Sequence, residues 1–192
     1  MSTDRLDPRT TALVAIDLQH GIVAMPVAPH AARDVIARTA EIAARLRAAG
    51  GTVVLVRVAN SADGRDALAP ITDAPAAAAG KRPDNWSELV PELGQQPGDI
   101  VITKRQWGAF YGTELDLQLR RRGITTLVMT GIATHVGVES TARDAFERGY
   151  QQVFVEDAIA SPSADAHANT FKFVFPRIGR IRKAADVAAL LG

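Results

Sequence analysis

Three short segments have too few polar residues to be half-exposed strands: Thr11–Leu18 (TALVAIDL), Thr52–Val58 (TVVLVRV) and Thr126–Thr130 (TLVMT). Runs of this kind suit strands covered on both faces, as in a parallel sheet between helices. Asp99–Thr103 and Gln152–Glu156 are shorter runs of the same kind, and Gly179–Arg182 is a weaker sixth. Helical patterns fill the intervals. Asp34–Ala49 puts Val35, Ile36, Ile42, Ala43 and Leu46 on one stripe and stops at Gly50-Gly51. Thr113–Arg122 opens on Thr113 with Asp116 three residues on, a weak capping box. Val138–Arg148, Ser163–Phe173 and Ala184–Leu191 come next. Strands alternating with helices give an α/β class: a three-layer α-β-α architecture with a mostly parallel, doubly wound central sheet of about six strands. Residues 1–192 are expected to form a single domain, because that length suits one hydrophobic core.

The stretch 60–98 breaks the alternation. It carries Pro70, Pro75, Pro83, Pro91 and Pro97 and the run Ala76–Ala79. An excursion of this length inside one domain is expected to serve as a lid or a contact between copies of the chain. The charge balance points away from other roles. A formal net charge of +1 supplies no long-range field for nucleic acid or a membrane surface. The triplet Arg120-Arg121-Arg122 falls late in a predicted helix, where cations oppose the negative dipole end. The N-terminal residues Met1–Arg5 show no apolar signal core, and no apolar stretch approaches a membrane span, so a cytoplasmic location is expected. The chain contains no cysteine, which removes disulfides, thiolate metal sites and thiol nucleophiles together.

Ligands of open α/β sheets bind beyond the carboxyl ends of the strands, so the residues just past each strand matter most. Asp17-Leu18-Gln19-His20 come after the first strand, and Lys104-Arg105-Gln106-Trp107 after the run at 99–103. Gly131-Ile132-Ala133-Thr134-His135-Val136-Gly137 runs from the strand at 126–130 into a helix, and Asp157 and Ser161 come after the run at 152–156. A carboxylate ending an apolar strand needs a partner when buried, and Lys104 is the natural one for Asp17. A structural ion pair is the alternative reading. The segment before Gly137 brings backbone N–H groups to a helix start, a ready carboxylate or oxyanion site, or else an ordinary strand-to-helix turn.

Four stretches in order resemble the isochorismatase-like hydrolase superfamily, also called the cysteine hydrolases. They are A-I-D-L-Q at 15–19, K-R-Q-W-G-A-F-Y-G-T-E-L at 104–115, G-I-A-T-H-V-G-V-E-S-T-A-R-D-A at 131–145 and V-E-D-A-I-A-S at 155–161. Most members use an Asp–Lys–Cys triad. The resemblance places the Asp at Asp17 and the Lys at Lys104, and the Cys position falls on Gly137. It also implies a cis peptide at Ile132–Ala133. Isochorismatases proper carry glycine at the nucleophile position too, and the local T-H-V-G is similar to theirs. They hydrolyse a vinyl ether: the Asp protonates the vinyl carbon and water takes the oxocarbenium centre. Ala133 departs from their pattern, which has tyrosine there, and makes G-I-A-T similar to the amidase branch. The metal-holding Asp-x-His of nicotinamidases has no counterpart in Val58-Ala59-Asn60-Ser61, so neither metal nor cofactor is expected.

The resemblance therefore implies a Cys-independent hydrolase of a small, carboxylate-bearing molecule, with Asp17, Lys104 and the Gly137 position as its chemistry. Ether hydrolysis is favoured over C–N amide hydrolysis. Gln19, Trp107, Phe110, Ile132, Ala133, Thr134 and His135 are the expected substrate-binding residues, with core packing as the alternative for Phe110 and a satisfied helix start for His135. Thr141 is expected to cap or to floor the pocket. His20 and His167 are expected to be structural or surface groups, and Arg143 and Asp144 structural salt-bridge residues. The family implies a homodimer or larger homo-oligomer. Two other readings stand: an inactive small-molecule-binding homologue, and a thiol amidohydrolase whose cysteine has been replaced.

Overall fold

The computed structural model describes residues 5–73 and 82–191. The run Ala76–Ala79 lies outside them. Six strands form one sheet in the order β3-β2-β1-β4-β5-β6, with every neighbouring pair parallel. They are β1 (Thr11–Ile16), β2 (Thr52–Val58), β3 (Ile100–Lys104), β4 (Thr126–Ile132), β5 (Gln151–Ala160) and β6 (Arg180–Arg182). Among the described residues seven helices accompany them: α1 (His20–Val23), α2 (Ala32–Ala48), α3 (Leu115–Arg121), α4 (Glu139–Glu147), α5 (Ala164–Phe173), α6 (Phe175–Ile178) and α7 (Ala184–Leu191). Alternate strand residues serve opposite layers. Leu13, Ala15, Val53 and Leu55 pack with α2 and α7. Val14, Ile16, Val54 and Val56 pack with α3, α4 and α6. The sheet is thus covered on both faces and wholly parallel, as the apolar runs require. Among the described residues no helix is long and apolar enough to cross a membrane.

The order reverses direction between β1 and β4, and chains leaving the carboxyl ends of these two strands part to open a crevice. Both strands end where they do for local reasons. β1 stops at Ile16, two residues before the expected end, because Asp17 takes φ +53°, although its N–H still bonds to Val56 O. β4 runs two residues further than expected, to Ile132. Gly131 makes this possible: its φ is +121°, and a Cβ there would fall 2.1 Å from Ile16 O. Only glycine combines that conformation with such an approach of two backbones.

Other sequence expectations are corrected. β5 continues four residues past Glu156 to Ala160, across a register irregularity opposite Met129 and Gly131. The charged pair Glu156-Asp157 marks that irregularity and not a strand end, and Asp157 Oδ1 accepts the N–H of Ala184. The capping box at Thr113 does not form. Thr113 Oγ1 accepts from Leu115 N, while Asp116 accepts the Tyr150 hydroxyl and pairs with Arg120. Arg120 and Arg121 do close α3, and Arg120 also bonds to Arg148 O. In the excursion, a 3-10 turn at Pro91–Leu93 buries Leu93, with Val90, against the α2 layer. This anchors the end of the excursion beside the sheet.

Candidate active site

Asp17 and Lys104 meet across the end of β2. Lys104 closes β3, Asp17 succeeds β1, and Lys104 Nζ lies 2.8 Å from Asp17 Oδ2 with both side chains less than a tenth exposed. Lys104 Nζ also donates to Trp107 O at 2.6 Å, which folds the adjoining loop back over the pair. Asp17 Oδ1 is buried and has no hydrogen-bond partner among the described residues. Burial pushes the Asp17 carboxyl up to about 6, and the charge and hydrogen bond of Lys104 oppose it without winning. A positive-φ, non-glycine residue that ends an apolar strand as a buried carboxylate is the kind of local cost that accompanies function.

Gly137 completes this centre. It is buried in a π-helical turn, Thr134–Val138, that leads from β4 into α4. A Cβ at Gly137 would fall 3.0 Å from Asp17 Oδ2, 3.0 Å from Lys104 Nζ and 2.9 Å from Ile16 Cγ2. The position that the resemblance assigns to a nucleophile therefore faces the ion pair directly, and the pair fills the room a side chain would need. Thr141 secures the turn: its hydroxyl donates to Gly137 O at 2.7 Å and accepts from Ala109 N at 3.1 Å. The N–H groups of Val136 and Val138 both bond to Ala133 O, so these two amides are committed inside the turn. The Ile132–Ala133 peptide is cis, as the resemblance implies.

These groups form the floor of a cavity of about 320 Å³. Asp17, Lys104, Gly137, Ile132, Ala133 and Trp107 all line it, so the structure brings together six of the ten expected site residues. Trp107 stands 61% exposed at its mouth. The other four do not line it, and their side chains are engaged in other contacts. Gln19 is fully buried: its Nε2 donates to Val58 O and Trp86 O, and its Oε1 accepts from Val58 N. It ties the end of β1 to β2 and to the excursion. Phe110 packs in the core against Tyr150. Thr134 is buried with its hydroxyl 2.8 Å from His167 Nδ1, and burial of His167 lowers that group's pKa. His135 Nδ1 lies 2.7 Å from Ser161 Oγ. Arg143 and Asp144 make helical ion pairs with Glu139 and Arg148.

The rim carries no signal of its own in the sequence. Asn60, Leu68 and Arg82 of the excursion line the cavity, as do Ile22, Met25 and Arg105. The one signal for Arg105 was its place directly after Lys104; the excursion carries no periodicity to mark the rest. Arg105 Nε donates to Asp66 Oδ2 at 2.6 Å. Hydrogen bonds from Ser61, then that from Arg105, hold the Asp66 carboxyl down at about 2. Among the described residues no group of three or more His, Asp or Glu side chains is placed to hold a metal ion.

The family described as Isochorismatase domain matches residues 11–186. An uncharacterized isochorismatase family protein, YwoC of Bacillus subtilis (strain 168), is 51% identical over 183 residues, spanning 95% of this chain and 94% of that protein. The solved structure of an isochorismatase family protein from Burkholderia thailandensis is 50% identical, with a TM-score of 0.92 over 97% of each chain. N-carbamoylsarcosine amidase from Thermoplasma acidophilum superposes with a TM-score of 0.72 at 27% identity, over 91% of this chain and 96% of that one.

Proposed function

The chain belongs to the isochorismatase family, and from that premise we propose that it is a hydrolase of a small, carboxylate-bearing substrate that works without a cysteine, through Asp17. One observation carries the reading: the nucleophile position is Gly137, and it opens onto a buried carboxylate whose pKa is raised to about 6. Such a group is poised to hold and release a proton near neutral pH. Lys104 holds Oδ2, so Oδ1 is the oxygen that carries the proton. In the vinyl-ether reaction that proton moves to the vinyl carbon, and the remaining cation is taken by water. The water's proton returns to Asp17, and the hemiketal collapses to a ketone and an alcohol. Lys104 keeps the carboxylate oriented and stabilised while its proton is away. The Val136 and Val138 amides are committed inside the turn and do not share in that stabilisation.

A second reading is amide hydrolysis, favoured by the likeness to N-carbamoylsarcosine amidase. There Asp17 would be ionised and would activate water as a base. Rate against pH separates the two on a panel of vinyl ethers and amides. An acid loses activity as pH rises through about 6, and a base gains it. Turnover that survives Asp17→Asn would remove both.

A further inference from the structure

We propose that Arg82, in the excursion between β2 and β3, is the residue that recognises the substrate's carboxylate. This rests on the reading of the cavity as the site of a small carboxylate-bearing substrate, and it assigns the specificity to one side chain. Among the described residues three cations line the cavity: Arg82, Lys104 and Arg105. Two are already engaged by carboxylates, Lys104 by Asp17 and Arg105 by Asp66. Arg82 makes no ion pair among the described residues. Two neutral groups hold it: Nη1 donates to Asn60 Oδ1 at 3.3 Å, and the guanidinium lies 4.1 Å from the centre of the Trp86 ring. A guanidinium has five donors in a planar fork, and stacking on an aromatic face leaves the edge of that fork available to a carboxylate.

The platform beneath Arg82 is built from the catalytic end of the sheet. Trp86 O accepts from Gly21 N and from Gln19 Nε2. The Trp86 ring lies so close over Gly21 that a Cβ there would fall 2.0 Å from its Cδ1. Asp17-Leu18-Gln19-His20-Gly21 is thus one continuous segment. It carries the reacting carboxyl at one end and the seat of Trp86 at the other. Gln19 and Gly21 act as positioning residues, because they fix where Arg82 stands relative to Asp17. The apolar lining, including Ile22, Met25, Val58 and Leu68, completes a pocket for an apolar body with an anionic end.

Equilibrium binding of benzoate and of its uncharged isostere benzamide to the full chain tests this by calorimetry, in the wild type and in Arg82→Gln, Arg82→Lys and Arg105→Gln. The wild type is expected to prefer benzoate. Arg82→Gln is expected to weaken benzoate about tenfold, to the level of benzamide, whose own binding holds. Arg82→Lys falls between, because an ammonium keeps the charge and loses the fork. Arg105→Gln costs less than Arg82→Gln. Unchanged benzoate affinity in Arg82→Gln, a larger loss in Arg105→Gln, or no benzoate preference in the wild type each overturns the proposal. Binding is read without turnover. A failure of hydrolysis by Asp17 therefore leaves the assignment of Arg82 intact, and a failure of carboxylate preference leaves the chemistry of Asp17 intact.

Discussion

The floor and the rim of the cavity are built by different means. The floor consists of strand ends and the turn into α4. Asp17 and Lys104 are 6% and 2% exposed, and Gly137 is buried between them. The rim is shared between the excursion, which supplies Asn60, Leu68 and Arg82, and the segments after β1 and β3, which supply Ile22, Met25 and Arg105, and it is open, with Leu68 63% exposed. Floor residues are held by two or more interactions each: Asp17 through Val56 O and Lys104, and Lys104 through Asp17 and Trp107 O. Rim residues are held by pairs of side chains such as Arg105–Asp66 and Arg82–Trp86. Exposed pairs of that kind contribute little to stability, so the rim is free to vary in what it recognises. The division suggests that reaction type is set by the sheet and substrate choice by the excursion.

The sharpest way to break this division is at the floor. Asp17→Asn preserves shape but cannot cycle a proton, and kcat should fall about 10²–10⁴-fold with little change in KM. Circular dichroism would separate this from misfolding, because a buried Lys104 left without its counter-charge carries a cost of about 3–5 kcal/mol. Gly137→Ala is next. Its Cβ would enter the space between Asp17 Oδ2, Lys104 Nζ and Ile16 Cγ2. Overpacking of this kind costs about 1–3 kcal/mol, which at this chain length lowers Tm by several degrees. Activity should fall at least tenfold as the ion pair is pushed apart. A thermal melt and a rate measurement on one preparation check both. Gly137→Cys meets the same side-chain ends and must shift them in the same way.

A smaller effect comes from pH. The Asp17 pKa lies near 6 in the folded protein, above the ordinary carboxyl value of 3.8. Below 3.8 the group is protonated in both folded and unfolded chains. As pH rises toward 6, the unfolded chain gives up its proton first. Stability that this group contributes at low pH is therefore lost as pH rises through about 6. For ether hydrolysis by the acid form, kcat should drop about tenfold per pH unit above 6. Asp17→Asn should flatten both profiles, and equal slopes in the wild type and the variant would assign the dependence elsewhere.

The floor was legible in the sequence for the same reason that it is rigid. Near-continuous apolar runs announce parallel strands, and a lone Asp17 or Lys104 at the end of such a run has no structural excuse until it finds a partner. What the sequence does not carry there is direction. Gln19 and Thr134 are as close in sequence to the centre as Asp17 and Ala133, yet they turn inward to Val58, Trp86 and His167. Ala133 and Thr134 are successive and face different sides, while Asp17, at φ +53°, breaks the strand alternation before Gln19, so sequence spacing does not say which side is the cavity. Phe110 illustrates the same limit, since it stands three residues beyond Trp107 and is buried while Trp107 is exposed. The rim was illegible for a different reason. Arg82 and Trp86 lie in a proline-broken stretch without period, and their relation to Gly21 is a tertiary contact that nothing local announces.

The contact between Gly21 and Trp86 joins the two regions and gives the finest test of their separation. Gly21→Ala puts a Cβ 2.0 Å from Trp86 Cδ1 as the ring now stands, so the ring must move. Asp17 lies four residues away and is fixed by its own bonds to Val56 O and Lys104, neither of which involves Gly21. If the floor sets the chemistry and the rim the recognition, the damage should pass outward along Trp86 to Arg82. The expected result is a several-fold rise in KM for a carboxylate substrate with a much smaller change in kcat, and the size of the effect should shrink when Arg82 is already glutamine. A fall in kcat equal to the rise in KM would mean that displacing the rim also moves the floor. Arg82, Trp86, Gly21 and Asp17 would then have to be treated as one mechanical unit.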